Sequence, residues 1–279
     1  MKTLRSFLEE DAPHGDITSE VLVEADVMCR AVICARQDGI AAGLEESARL
    51  FSVLGVEIRD RISDGCAVRT GTVLMDLSGP ARAILLVERT ALNLIGRMGG
   101  IATRTHELQQ VLDRACPGCR IAATRKTAPG LRALDKKAVV LGGGEPHRTT
   151  LSDGFLIKDN HLALVPLEEA VRRARASTRY RKVEIEVQTP ADAERAARAG
   201  ADIILLDNMR PDLVRETITR LVTAGEREKV IIEVSGGIKP ENLADYAIPG
   251  VDVISMGALT HSVLAFDASL DILPERQGF

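Results

Sequence analysis

Tryptophan is missing from this 279-residue chain, and two Tyr with five Phe leave the aromatic share at 3%. A surface that holds nucleic acid needs a broad basic face and aromatic platforms for the bases. With a net charge of -4 and a pI near 5.8, the chain offers neither. Long apolar runs are lacking too. Nothing approaches the ~18 consecutive residues of a membrane span, and the opening MKTLRSFLEEDAPHGD turns acidic before a signal core could form. Neither insertion nor secretion is expected. Cysteine is scarce and odd in number: Cys29, Cys34, Cys66, Cys116 and Cys119 form no disulfide framework, which fits reduced thiols in a cytoplasm. Only Cys116-Pro117-Gly118-Cys119 has motif spacing, and without a second pair or a neighbouring His it reads as a turn after a helix.

What is present is an ordinary globular balance, 45% hydrophobic and 27% charged, in a chain long enough for one barrel or two unequal domains. The first eighty residues mix the strand-like runs CRAVICA (29–35) and TVLMDL (72–77) with the helical pattern LEESARLFSVLG (44–55), a small α/β layer. From about Arg82 to Leu112 apolar residues recur at helical spacing, interrupted by Gly99-Gly100, so one long connecting helix or two in series is expected, kinked or closely packed at the glycines. Beyond it, apolar strands near 121–124, 154–158, 183–187, 202–206, 230–234 and 252–255 alternate with helical stretches such as LEEAVRRARAS and PADAERAARAG. That alternation implies a parallel sheet with helical crossovers. A polar or Gly-rich group follows each strand, as an α/β barrel requires at its C-terminal strand ends; an open doubly wound sheet would gather its groups at one switch point. The expected organisation is an N-terminal α/β domain with a connecting helix over 1–105, a barrel over 106–262, and a segment, 263–279, packing back on the first domain.

Three zones of the barrel carry chemistry. Between Thr124 and His161 seven Lys and Arg, two His and a Gly triplet crowd together in an acidic protein, which points to an anionic ligand. Arg125, Lys126, His147 and Arg148 follow a strand or the Gly triplet and can present charge-assisted donors to carboxylates; surface ion pairs to Asp135 or Glu145 are the plainer reading. Lys136 and Lys137, in the middle of a helical stretch, are expected to be solvated. Glu186 and Asp207 stand one βα repeat apart and suit Mg²⁺, unless Lys158 neutralises one of them. Glu184 is expected to face outward into the helical layer, away from Glu186. The third zone, Ser235-Gly236-Gly237-Ile238 with Gly257-Ala258, is read as two turns leading directly into helices, with backbone N–H groups suited to phosphate.

The strings ERTALNL (88–94), TRKTAPGLR (124–132), GGGEPHR (142–148), LIKDNH (156–161), VEIEV (183–187), LLDN (205–208), SGGI (235–238) and SMGALTHS (255–262) resemble the quinolinate phosphoribosyltransferase family. With GDIT (15–18) and SLDI (269–272) the resemblance spans nearly the whole chain. It implies an incomplete α/β barrel beside a small N-terminal α/β domain, a cytoplasmic homodimer with shared active sites, and a step of NAD biosynthesis. In that step quinolinate and phosphoribosyl pyrophosphate give nicotinate mononucleotide, pyrophosphate and CO₂ with Mg²⁺. By the same resemblance Arg125, Lys126, His147 and Arg148, with Thr124 beside them, clamp the two carboxylates of quinolinate, and Arg89 comes from the partner subunit. Lys158 lies between the substrates, Glu186 and Asp207 near the metal and ribose, and Ser235, Gly236, Gly237 and Gly257 around the phosphates. Ala128 and Pro146 depart from the Thr and Asn that many members carry. Related possibilities are a nicotinate phosphoribosyltransferase or a molybdenum-transport-associated paralogue on the same fold. A phosphate-ligand sensor without catalysis is the alternative of a different class, and the retention of both Glu186 and Asp207 counts against it.

Overall fold

The computed structural model describes residues 2–273. They form two compact units, one comprising residues up to Arg104 with 140–142 and those from Val263 on, the other comprising Thr105–Val139 and Gly143–Ser262.

In the first unit α1 (Lys2–Asp11) and α2 (Ile17–Leu22) precede β1 (Met28–Ala35), β2 (Gly39–Ile40), α3 (Leu44–Val53), β3 (Glu57–Arg61), β4 (Ala67–Val68) and β5 (Val73–Pro80). Asp16 of the GDIT string caps α2, accepting from the N–H groups of Thr18 at 3.0 Å and Ser19 at 3.2 Å. Ala31, Ile33 and Ala35 are fully buried at alternate positions of β1, as a strand with one core face requires. The apolar run 81–115 forms one helix, α4 (Ala81–Ala115), unbroken at Gly99-Gly100. Those glycines serve close packing. A Cβ at Gly100 would lie 2.0 Å from the Leu264 carbonyl oxygen and one at Gly99 would lie 2.9 Å from the Phe266 side chain, while the Phe266 N–H donates to the Gly96 carbonyl at 2.7 Å.

The second unit takes in the last residues of α4, from Thr105, and the chain then turns at Cys116–Cys119, where Gly118 takes φ 94. Then follow β6 (Arg120–Ala122), α5 (Arg132–Leu141), β7 (Phe155–Ile157), α6 (Asp159–Leu162), α7 (Leu167–Ser177), β8 (Val183–Val187), α8 (Pro190–Arg198), β9 (Ile203–Asp207), α9 (Pro211–Thr223), β10 (Ile231–Ser235), α10 (Leu243–Tyr246), β11 (Val253–Ser255) and α11 (Ala258–His261). The six strands are parallel in the order β6-β11-β10-β9-β8-β7, and Glu145 adds a single parallel bridge on the free edge of β6. The last strand, β12 (Ala268–Leu273), returns to the first unit and pairs antiparallel with β1, giving the order β12-β1-β5-β3.

Period-two burial explains how the parallel strands place their chemistry. Val183, Ile185 and Val187, Ile204 and Leu206, and Ile232 and Val234 are buried on the face opposite to Glu186, Leu205, Asp207, Glu233 and Ser235, which line the barrel interior. The register sets Glu186 and Glu233 beside Leu205, and Ser235 beside Asp207, so the interior residues fall into rows. The outward placement expected for Glu184 is corrected here. Residues two apart on a strand share a face, and Glu184 points inward beneath Glu186, only 4% exposed. No helix of the described residues is long and apolar enough to cross a membrane.

Candidate active site

The C-terminal strand ends surround a cavity of about 390 Å³. Thr124, Arg125 and Lys126 enter it from beyond β6, His147 and Arg148 from beyond the Glu145 bridge, Lys158 from beyond β7, and Glu186, Asp207 and Ser235-Gly236-Gly237 from β8, β9 and β10. Asn208 and Ser255, polar groups at the ends of β9 and β11, complete the wall with Ala123 and with Leu156, Leu205 and Glu233, the last three not singled out from the sequence. Gly257 does not line it but supports it, since a Cβ there would come within 2.9 Å of the Lys126 side chain. A second hollow of about 480 Å³ shares Arg125, Arg148, Leu156 and Lys158 and adds His161 and Arg181. Arg89, by contrast, is exposed on α4, in the first unit.

The Gly triplet shapes the entry of the basic segment. Gly143 takes φ 89, and a Cβ on Gly144 would come within 2.7 Å of Thr105 and 2.9 Å of Val139. Without side chains here the chain can turn tightly and seat Glu145 against β6, so that His147 and Arg148 emerge at the cavity. His147 itself is left-handed at φ 54, an uncommon and strained conformation for a residue with a Cβ.

Lys136 holds that strain in place. The solvated position expected for it is corrected: it is 4% exposed, and its ammonium donates to the carbonyls of Pro146 and, at 3.1 Å, of Arg148. To this contact residue 146 supplies its backbone carbonyl, which proline retains. Burial first, then the charges of Arg132 and Arg125, bring the Lys136 ammonium down to about 8. Lys137, the next residue on α5, is half-buried.

Beneath this loop His147 directs Nε2 at two buried carboxylates, Glu184 Oε2 at 3.4 Å and Glu233 Oε2 at 3.3 Å. Its Nδ1 accepts from the Arg148 N–H at 2.8 Å. Burial pulls the imidazole down, but the hydrogen bonds and charges of the two glutamates outweigh it and lift it to about 10. The Glu184 carboxyl is pushed up, by burial and then by the charge of Glu233. The Arg148 N–H faces Nδ1, so the ring proton that the two carboxylates favour lies at Nε2. Both ring nitrogens are thus spent inside the protein. The donors open to a ligand are Arg125, Lys126, Arg148 and Lys158. Arg125 has a buried Nε without a partner, and burial followed by the Arg125 charge brings Arg148 below its ordinary value.

The opposite wall joins backbone N–H groups with two carboxylates. Gly236 and Gly237 take φ 90 and 64, and no acceptor among the described residues takes their N–H groups. A Cβ on Gly236 would lie 2.9 Å from the Asn208 backbone nitrogen, which itself donates to the Ser235 carbonyl at 2.9 Å. The expectation that this turn leads directly into a helix is corrected, since α10 starts only at Leu243 and has four residues. Successive free N–H groups in a tight turn form an anion-binding concavity without a helix. Gly257 does precede a helix directly, the four-residue α11. Glu186 is ion-paired with Lys158. Asp207 accepts only from neutral amides, Asn208 Nδ2 at 3.0 Å and Gln188 Nε2 at 3.4 Å, and no cation pairs with it among the described residues.

Comparison with known proteins fits this arrangement. The family models described as quinolinate phosphoribosyl transferase, N-terminal domain and C-terminal domain match residues 16–99 and 101–271. The chain belongs to the quinolinate phosphoribosyl transferase family. Within it, the chain is 47% identical over 277 residues to a probable nicotinate-nucleotide pyrophosphorylase [carboxylating] of Methanothermobacter thermautotrophicus, covering 98% of both. A similarly named protein of Archaeoglobus fulgidus is 44% identical over 94% of this chain and 99% of that one. The crystal structure of nicotinate-nucleotide pyrophosphorylase from Ehrlichia chaffeensis superimposes with a TM-score of 0.90 at 31% identity, covering 98% of each chain. The transferase family thus accounts for both units and for the incomplete barrel.

Proposed function

We propose that this chain is a quinolinate phosphoribosyltransferase, joining quinolinate to phosphoribosyl pyrophosphate with release of pyrophosphate and CO₂ to give nicotinate mononucleotide for NAD biosynthesis. The observation that carries this reading is one cavity with Arg125, Lys126, Arg148 and Lys158 on one side and the unclaimed Asp207 with the free Gly236 and Gly237 N–H groups on the other. Two anions repel each other, and a strongly positive pocket offsets that repulsion. Arg125 and Arg148 suit the planar carboxylates of quinolinate, Lys158 stands between the substrates, and the Ser235-Gly236-Gly237 turn receives phosphate. As the pyridine nitrogen attacks the anomeric carbon, the ribose acquires positive charge that Glu186 and Asp207 face and stabilise. The pyridinium so formed stabilises the electron pair left on C2 as CO₂ departs, and a proton from water then takes the place of the carboxylate.

The donor set fits Mg²⁺, which takes one or two protein carboxylates and keeps water and substrate oxygens for the rest. Asp207 would hold it, and Glu186 would join after loosening from Lys158. Bound there, Mg²⁺ would neutralise charge on the leaving pyrophosphate. Four cations around one end of the cavity exceed what the single carboxylate of nicotinate needs, which favours quinolinate over the nicotinate reading. The free cysteines support a reducing, cytoplasmic setting.

Incubation with phosphoribosyl pyrophosphate, Mg²⁺ and either quinolinate or nicotinate tests the reaction. Quinolinate is expected to be used far better, with CO₂ release; equal use of nicotinate without CO₂ would overturn the assignment. Arg89 is the further element of the proposal, serving the neighbouring subunit of a homodimer. Arg89→Ala and Asp207→Ala proteins should each be nearly inactive, and mixing them should restore roughly a quarter of wild-type activity, because half the dimers are mixed and half their sites are whole. No recovery after verified subunit exchange removes the shared-site claim.

A further inference from the structure

The floor of the barrel holds more charge than the substrate-facing wall uses. Glu184 on β8 and Glu233 on β10 are 4% and 3% exposed, and the Oε1 of each is buried without a partner. Two such carboxylates are costly to bury unless something depends on them. Their other oxygens meet at His147 Nε2, and the far side of that ring accepts the backbone N–H from which the Arg148 side chain departs. Lys136 grips the carbonyls of Pro146 and Arg148, the residues on either side of His147. The ring is therefore a spacer standing on two carboxylates from different strands, and the residue it steadies is one of the cations lining the cavity.

We propose that Glu184 and Glu233 are positioning residues for the carboxylate-binding end of the site, acting through His147 to aim Arg148 at a substrate carboxylate. The proposal rests on the dicarboxylate reading of the cavity. It accounts for His147 tolerating a left-handed backbone, since ring and carbonyls are all held. It also explains why two glutamates recur at inward positions of β8 and β10 where a barrel ordinarily packs branched apolar side chains. The three donor atoms lie within 4.8 Å of one another, close enough for a metal ion. Lys136, Arg148 and Arg125 around them disfavour a second divalent charge.

Glu184→Gln and Glu233→Gln keep shape and remove charge. Each is expected to raise KM for quinolinate roughly ten- to a hundredfold while KM for phosphoribosyl pyrophosphate stays within about twofold, as misaim of one binding group predicts. Nitrogen-15 spectra of the imidazoles provide a second readout, independent of activity. Wild-type His147, identified by its loss in His147→Gln, should show a bare Nδ1 and a protonated Nε2 with a strongly downfield proton, and that proton signal should shift in both glutamine variants. A protonated Nδ1 in the wild type, equal weakening of both substrates, or unchanged quinolinate KM in the double variant would overturn the proposal. So would a stoichiometric metal ion in the purified protein that is lost in Glu184→Gln. Absence of quinolinate turnover in the wild type would strike the functional reading instead, leaving the imidazole spectra to decide whether the carboxylates hold the ring.

Discussion

Glu184 and Glu186 sit two residues apart on the same face of β8, yet their surroundings share little. Glu186 stands at the mouth, paired with Lys158 and a short step from Asp207, where water and ligand reach both carboxylates. Glu184 lies one row deeper, closed off beneath His147, which it shares with the equally buried Glu233 of β10. In the proposed reaction a carboxylate at the mouth exchanges partners: lysine, ribose or metal. At the floor it cannot, so its charge is committed to holding one ring. On that proposal, depth along a single strand separates a group that meets reacting atoms from one that steadies them.

The widest gap between the two rows should come from removing a mouth carboxylate. Asp207→Ala is expected to lower turnover by roughly 10²–10³-fold, the usual scale for losing one preorganised charge in a closed site. Circular dichroism should be unchanged. Near-normal turnover with saturating Mg²⁺ would make Asp207 structural and erase the distinction. Next in size, Arg125→Ala should weaken quinolinate more than Lys126→Ala does, by about a hundredfold against about tenfold, because truncating a desolvated charge costs more than truncating an exposed one. Arg125 is half-buried and Lys126 exposed. Calorimetry giving the reverse order would show that the clamp is centred on the lysine.

At the floor, Lys136→Met should reduce stability by about 2 kcal/mol, the scale of leaving buried carbonyls without a donor. A denaturant midpoint that does not move would mean that the loop at His147 holds itself. The smallest effect is one of pH. The His147 cluster binds its proton more tightly folded, at about 10, than the ordinary 6.5, so the stability it confers is complete below pH 6.5 and is lost as pH rises. Lys136, held down at about 8 against an ordinary 10.5, has the opposite sign, its folded state becoming easier to keep as pH rises from 8 to 10.5. Urea midpoints should therefore fall between pH 6.5 and 8, before Lys136 intervenes, and fall less in Glu184→Gln. A flat wild-type profile in that window would contradict the hold of the carboxylates on the His147 proton.

Much of this was legible in the chain itself. Strand and helix periods located the parallel strands to within a few residues, and the polar groups after them located the cavity, since a barrel leaves only its strand ends open. What escaped was the floor. Glu184 was put on the wrong face although it shares parity with Glu186, and Glu233, central in IIEVS, offered the same signal: an acid at an inward position of an apolar strand. Lys136 escaped for another reason. Helical spacing gives the face a residue occupies, but not that a loop from further along the chain will fold over that face and offer it carbonyls. The Ser235-Gly236-Gly237 turn reads as a helix start because Gly-rich turns often are; here the left-handed glycines turn the chain with no helix directly behind them.

The pairing of β12 with β1 has a consequence for biosynthesis. Strand β1 is made early, yet its neighbour on one side is among the last residues described, with the whole of the second unit made in between. On the ribosome the four-stranded sheet therefore waits with one edge bare while the barrel, contiguous but for three residues, can already close. The part of the molecule that emerges first is the part completed last.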